Sequence, residues 1–249
     1  MKDFLTLFDE YTLKARFLPA CLAGIPLLTL IASYFDWNKF LVSNIIVGLL
    51  IGFVMIFILS NFSRYLGRKV EKKFINQWGV LPTTQLLRHS DTTFSKTHKQ
   101  KIHEILSSKS PIVLPSEQEE KNDPQIADEI YYQVTVWLKE QTRDEKILLN
   151  ENITYGFVRN SLGLKPIAFL VCLIVLVILA ILFTINYEYS YNDYDNLIIF
   201  IKKIKMALWL TFMSSILMPL YWIFIINKTN LRKTAINYAR TLLELSYKM

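Results

Sequence analysis

The residues of this sequence that are best suited to bind a ligand are a group of cations and histidines in the middle of the chain. Only two acids, Asp91 and Glu104, occur in residues 88–109, and the basic side chains there are Arg88, His89, Lys96, His98, Lys99, Lys101, His103 and Lys109. Cations at this density are typical of surfaces that bind the phosphates of nucleic acids or nucleotides. Acids dominate the next stretch, residues 117–129, so the two stretches can either clamp an anionic ligand or pair with each other.

The histidines do not have the spacing of a known metal site. His89, His98 and His103 are nine and five positions apart, whereas a zincin helix places two histidines four positions apart. Both cysteines, Cys21 and Cys172, fall in apolar segments, so neither a zinc finger nor a disulfide framework is predicted. We expect three partly exposed helix residues rather than metal ligands, and no cofactor.

Enzyme signatures are missing from the sequence. A phosphate-binding glycine loop and a Rossmann fingerprint both need clustered glycines, and the whole chain has seven. No nucleophile and base stand in a known catalytic pattern. The sequence therefore predicts a protein that is not an enzyme.

The distribution of apolar residues along the sequence predicts the helices that position the basic stretch. Hydrophobic residues make up 52% of the 249 residues, mean hydropathy is +0.28 and the net charge is +7. Four apolar segments reach the roughly 20 residues that a bilayer core requires, and they cover residues 17–35, 40–62, 166–187 and 204–226. The second and third have no acid or base in their interiors, so we predict an integral membrane protein of the all-α class.

The cations that flank these segments predict the topology. Because most of them lie on one side of the spans, the positive-inside rule places both termini and residues 63–165 in the cytoplasm. Residues 1–62 are predicted to form a short amphipathic helix and a transmembrane hairpin. Residues 63–165 form a helical regulatory domain inserted between spans 2 and 3, residues 166–226 a second hairpin, and residues 227–249 a cytoplasmic helix.

Residues 67–91 lead from the second span into the regulatory domain. We expect a helix that breaks at Gly79 and Pro82 and restarts behind Thr83 and Thr84, which can cap it. Residues 150–164 precede the third span and are expected to pair with residues 67–91 at the membrane face. If a soluble signal is sensed, it enters the membrane part at this junction.

Helix boundaries are also predicted within the regulatory domain. Asp91 or Thr92 is expected to cap a helix that Ser110 and Pro111 end, and residues 111–122 read as a loop. Pro124 is expected to open the next helix.

Small and polar residues mark two of the spans. Gly48 and Gly52 form a GxxxG pair in the second span, which lets another helix approach closely. Thr211, Ser214 and Ser215 give the fourth span its polar stripe. These five residues are predicted to form packing faces or to line a narrow pore between several copies of the chain.

The residue pattern at the two ends of the regulatory domain resembles that of the membrane effectors of bacterial antiphage defence, in particular those of Hailong-type systems. The residues that carry it are Gly67, Arg68, Glu71, Trp78-Gly79, Pro82-Thr83-Thr84, Leu87-Arg88-His89, Asp91, Tyr155-Gly156-Phe157 and Arg159-Asn160. Val80 stands where that family has a second glycine. The resemblance implies a homo-oligomeric ion channel, for which a tetramer is one arrangement. It also implies a single-stranded oligodeoxyadenylate signal, made by a partner nucleotidyltransferase, that holds the channel shut.

Under this resemblance, cations would contact the phosphates of the signal and aromatic rings would stack on its bases. The candidate ligand-binding residues are Arg68, Trp78, Thr83, Thr84, Arg88, His89, Lys96, Lys99 and Arg159. A second hypothesis of another class stays open, in which the protein is a non-conducting membrane anchor whose cytoplasmic helices recruit a protein partner.

Overall fold

The computed structural model describes residues 9–33, 42–186, 201 and 204–249. Every secondary-structure element in these residues is helical, as the sequence predicts. Residues 1–8, the connection at residues 36–39 and nearly all of the connection at residues 188–203 lie outside the described residues, and so do the predictions made for them.

The helices of the described residues follow in chain order. They are α1 (Glu10–Ser33, with a π-helical turn at Leu13–Phe17), α2 (Val42–Trp78), α3 (Pro82–Leu87), α4 (Lys96–Lys109), α5 (Glu117–Asn122), α6 (Pro124–Gln141), α7 (Lys146–Asn186), α8 (Met206–Phe224) and α9 (Lys228–Glu244). A short 3-10 turn, Leu245–Lys248, follows α9.

Four of these helices, α1, α2, α7 and α8, are long and apolar enough to cross a membrane. They correspond to the four apolar segments of the sequence and support the prediction of a transmembrane protein. Helix α2 has 37 residues and α7 has 41. At 1.5 Å of rise per residue they are roughly 55 and 60 Å long, about twice the roughly 30 Å of a hydrocarbon core.

The chain forms two compact units. The first unit contains the described part of residues 1–68 and 160–227, and the second contains residues 69–159 and 228–249. All four apolar segments belong to the first unit.

Small residues let the helices of the first unit approach one another. A Cβ on Gly24 of α1 would lie 3.1 Å from Ile56 Cδ1 of α2, and one on Gly52 of α2 would lie 3.4 Å from Leu28 Cδ2 of α1. The surfaces of these helices that face away from the helix contacts are apolar and exposed. In α2, α7 and α8 only 17% of the most apolar 18-residue window is buried within the chain. Such surfaces are expected to face lipid or further protein rather than water.

The second unit has a core of large apolar side chains from five helices. Its buried members are Leu86, Leu87, Phe94, Ile102, Leu106, Leu114, Ala127, Tyr131, Val134, Leu138, Leu148, Ala239, Leu242, Leu243 and Leu245. Helix α9 belongs to this core because Leu231, Ala235, Ala239 and Leu242 recur every three or four residues and form one buried stripe. Residues 227–249 were predicted as a separate cytoplasmic helix, but the structure includes α9 in the second unit.

The junction after α2 breaks where the sequence predicts but restarts differently. Helix α2 ends at Trp78, and Gly79 adopts a φ of +82°, which a residue without a Cβ does at little cost. Helix α3 then begins with Pro82 in its first turn. The prediction that Thr83 and Thr84 cap this helix is wrong, because both lie inside its first turn and are buried.

Two other helix starts also differ from the prediction. The cap of α4 is Ser95, whose hydroxyl accepts a hydrogen bond from a backbone N–H three residues later, and not Asp91 or Thr92. Residues 117–122 were predicted as a loop but form α5. The reason is a capping box, in which Ser116 and Glu119 each accept a hydrogen bond from the other's backbone N–H.

Candidate functional site

Arg88, the first cation of the basic stretch, is paired inside the second unit. Its Nε donates to Asp128 Oδ1 across 2.7 Å, and its Nη2 contacts Asp128 Oδ2. The hydrogen bond to this carboxylate raises the pKa of Arg88 above its ordinary value. The bidentate pair joins the C-cap of α3 to α6, so the guanidinium restrains its own loop.

Lys99 is buried and holds the same loop. Its Nζ donates to the carbonyl oxygen of Arg88 across 2.5 Å and to that of Asp91. Burial lowers the pKa of Lys99, although the charge of Asp91 acts in the opposite direction. A phosphate can therefore reach this ammonium group only if the loop moves.

Glu120 of α5 is the acidic centre of the same region. Its Oε2 accepts hydrogen bonds from the His89 N–H at 2.8 Å and the Tyr131 hydroxyl at 2.7 Å, and its Oε1 accepts one from the Ser90 N–H at 3.4 Å. Burial alone would raise the pKa of this carboxyl, but the three hydrogen bonds hold it below its ordinary value. The acidic stretch thus pairs with the basic one, which is the second of the two arrangements that the sequence left open.

Two of the three histidines contact each other at the edge of the core, with their rings tilted by 60°. The His89 and His103 rings lie 4.7 Å apart, and His103 Nε2 donates to the Leu87 carbonyl oxygen across 2.8 Å. Burial lowers the pKa of His103 to about 4, so the ring is neutral at neutral pH. Across the described ranges, no group of three or more His, Cys, Asp or Glu side chains is arranged to hold a metal ion.

The remaining predicted ligand residues have different surroundings. Lys96 is exposed in the first turn of α4, and the side chains of Thr83 and Thr84 are buried. Arg68 is exposed and belongs to the first unit. Trp78 is half-buried. The guanidinium of Arg232 lies 4.5 Å from the centre of its ring, which occupies one of the two faces on which a base could stack.

Arg159 takes part in a second ion pair of the second unit. Its Nη1 donates to Glu71 Oε1 and Oε2 at 3.1 and 3.0 Å, and the Tyr155 hydroxyl donates to Glu71 Oε1 at 2.7 Å. The Arg159 side chain is only 12% exposed. This cluster confirms that the segment before the third span pairs with residues 67–91. Arg159 was predicted as a ligand residue. Its pairing with Glu71 was not predicted, although the opposite charges of the two side chains are visible in the sequence.

A close helix crossing lies in the first unit. A Cβ on Gly163 of α7 would lie 2.6 Å from the backbone nitrogen of Gly67 and 2.7 Å from the carbonyl carbon of Leu66, both in α2. Asn160 is fully buried beside them, and its Nδ2 donates across 2.6 Å to the carbonyl oxygen of Ala15, in the π-helical turn of α1. Three spans thus meet at one buried amide.

The residues predicted to pack or to line a pore lie mainly between helices of the first unit. The hydroxyl oxygens of Ser214 in α8 and Thr29 in α1 are 3.2 Å apart, and Thr211 and Ser215 are buried. Gly52 packs against α1, as described above, whereas Gly48 is half-exposed. Helices α1 and α8 are in contact along this stripe. In a single chain, then, the polar stripe serves packing.

Comparison of the chain with protein-family models, curated proteins and solved structures gives no match.

Proposed function

We propose that the protein is an antiphage-defence effector, an oligomeric ion channel of the bacterial inner membrane that a nucleotide-derived signal controls. One observation supports control by the second unit above all. Helices α2 and α7 each contain an apolar segment of membrane length and also contribute residues 69–78 and 146–159 to the second unit. A tether that only anchors a domain does not need two uninterrupted helices of this kind.

Gating through these helices requires a ligand that binds two conformations with different affinities. Moving a closed-to-open ratio from 1:99 to 99:1 needs a difference of about 5.5 kcal/mol between the binding free energies of the ligand for the two conformations. We propose that the Arg88–Asp128 pair is the element that responds. A phosphate of the signal, an oligodeoxyadenylate supplied by a partner nucleotidyltransferase, replaces Asp128 on Arg88 and frees the loop that Lys99 holds.

Conduction requires several copies of the chain under this proposal. Thr211 and Ser215 are buried in a single chain, and the outward faces of α2, α7 and α8 are apolar. A water path then forms where copies meet, as in a homo-oligomer such as a tetramer. The orientation with both termini in the cytoplasm follows from the flanking cations.

The anchor hypothesis is the second candidate, and a specific observation favours it. The predicted phosphate-binding cations Arg88 and Lys99 already have acceptors within the second unit. If no signal displaces these acceptors, the basic stretch is structural and the domain serves to bind a protein.

Current recordings of the purified full-length protein in planar bilayers test the proposal. We expect currents that fall when a single-stranded oligodeoxyadenylate is added on the cytoplasmic side, and we expect Trp78→Ala to impair this response more than it impairs binding. An absence of current in all conditions would favour the anchor.

Binding variants separate a phosphate contact from a structural effect. Arg88→Ala should weaken oligonucleotide binding in a salt-dependent way, because it removes a phosphate contact. Asp128→Asn is the matched control, since it breaks the same ion pair but leaves the cation. It should preserve or strengthen binding. Equal losses in both variants would mean that the pair only stabilises the fold.

A further inference from the structure

A concave basic surface lies on the first turns of α9, outside the residues discussed as ligand contacts. We call it the basic groove. Its lining residues are Lys228, Thr229, Arg232, Lys233, Ile236 and Asn237, and they line a shallow, open depression of about 500 Å³. The lining contains three cations and no acid. An anion in this depression would meet no acidic side chain among these lining residues.

Arg232 is the central cation of the groove. One of its terminal nitrogens, Nη2, donates to Gln85 Oε1, and the guanidinium lies over the Trp78 ring. The other, Nη1, is buried and has no acceptor among the described residues. Burial lowers the pKa of Arg232. Because Nη1 is buried, an anion in the groove reaches it only after the guanidinium shifts. A buried cationic donor without an acceptor is unfavourable, which lowers the cost of this shift.

Four other cations of the second unit are each paired with a carboxylate, which sets them apart from Arg232. These ion pairs are Arg88–Asp128, Lys121–Glu117, Arg159–Glu71 and Lys248–Glu145. Lys228 instead lies 5.6 Å from the centre of the Phe74 ring, and Lys233 is exposed. Within the described residues, none of the three cations of the basic groove forms an ion pair with a carboxylate, although the charge of Asp91 acts on Arg232 from a longer distance.

The first cation of the basic groove follows a candidate span closely in the chain. Helix α8, one of the four candidate spans, ends at Phe224, and α9 begins at Lys228. Four residues of extended chain cover at most about 14 Å, which limits how far the groove can lie from the end of the span. Basic residues next to a span attract anionic lipids, at about 1 kcal/mol for each cation near the surface.

We propose that the basic groove binds the phosphate of an anionic phospholipid from the cytoplasmic leaflet. Arg232 and Lys233 contact the phosphate oxygens, and Lys228 lies beside them. A soluble phosphate compound offers the same oxygens, but the lipid is favoured because its headgroup lies within reach of the chain that leaves the span.

The test uses the purified full-length protein in an uncharged detergent, with lipid binding measured by native mass spectrometry. Short-chain phosphatidylglycerol should bind at least tenfold more tightly than phosphatidylcholine of the same chain length. Arg232→Gln should weaken phosphatidylglycerol binding about fivefold, the equivalent of one cation near the surface. Arg240→Gln is the matched control, because it removes an exposed charge from the same helix, and it should bind as the wild type does.

A second variant guards against a folding defect in Arg232→Gln. The double variant Lys228→Gln/Lys233→Gln leaves the contacts of Arg232 with Trp78 and Gln85 in place, and it should lower phosphatidylglycerol binding at least as much. Equal binding of both lipids, or wild-type binding by both variants, would overturn the proposal. So would inorganic phosphate or oligodeoxyadenylate that displaces the lipid at equal concentration, since the site would then serve a soluble phosphate.

Discussion

The first unit buries small and polar side chains together with some large ones such as Trp222, and it exposes many large apolar side chains, whereas the second unit gathers buried leucines into one core. In the first unit Asn160, Ser63 and Ser215 are fully buried, and Leu49 and Leu173 are 69% and 59% exposed. In the second unit Leu106 and Leu242 are fully buried. The contrast follows from the surroundings. Lipid provides no hydrophobic drive between helices, so close approach and hydrogen bonds hold spans together, while water drives leucines into a core.

The polar contacts of the two units differ in kind as well. The first unit joins its helices largely through neutral amides and hydroxyls, such as Asn160 with Ala15 and Thr29 with Ser214, and its ion pair Lys14–Glu10 lies within a single helix. The second unit uses ion pairs, such as Glu71 with Arg159. A full charge in the hydrocarbon region is costly, so neutral groups suit the spans. Contacts between helices should therefore respond to pH and salt mainly in the second unit.

The largest expected effect is the loss of a leucine from the second core. Leu242→Ala should lower the free energy of unfolding by about 3 to 4 kcal/mol, because it leaves a cavity among large side chains. Leu170→Ala is the matched control in the first unit, where the side chain is 54% exposed. It should cost less than about 0.5 kcal/mol in a bilayer. Denaturation of the reconstituted protein measures both, and similar losses would break the contrast between the units.

The second effect is acid sensitivity confined to the second unit. Because the folded pKa of His103 is about 4, below its ordinary 6.5, the unfolded chain binds the proton more tightly. Stability from this group is complete above pH 6.5 and falls as the pH drops toward 4, by up to about 3 kcal/mol. Thermal unfolding between pH 7 and 5 measures the loss.

His103→Gln keeps a donor for the Leu87 carbonyl but does not titrate. We expect it to be less stable at pH 7 and to lose less stability than the wild type on acidification to pH 5. A wild-type pH dependence in this variant would assign the acid sensitivity to other groups.

The smallest of the three effects is overpacking in the first unit. Gly163→Ala places a Cβ against the backbone of Leu66 and Gly67, which cannot yield as a side chain does. We expect a loss of about 2 kcal/mol in stability. Gly52→Ala is the matched control, because its nearest neighbour is the end of the flexible Leu28 side chain, and it should be neutral. Thermal unfolding in detergent distinguishes them. A tolerated Gly163→Ala would show that the crossing is looser than its geometry indicates.

The sequence by itself determined the class of protein and much of its helical layout. Blocks of apolar residues specify four membrane-length helices, because a bilayer core demands that length and composition. The break after Trp78, the helix start at Pro124 and the helix end before Ser110 are confirmed, since glycine and proline act locally on the backbone. The capping box of Ser116 and Glu119 was readable in the same way but was missed.

Only the tertiary structure decided which charges are paired. Arg88 and Asp128 are 40 positions apart, and Glu71 and Arg159 are 88 apart. Charge density along the chain predicts that cations are present, but whether a carboxylate neutralises them depends on which helices pack together. For the same reason the contacts of Arg232 with Gln85 and Trp78 became visible only once α9 was seen in the second core. Local interactions set the helices, and the packing of distant side chains sets what their charges can bind.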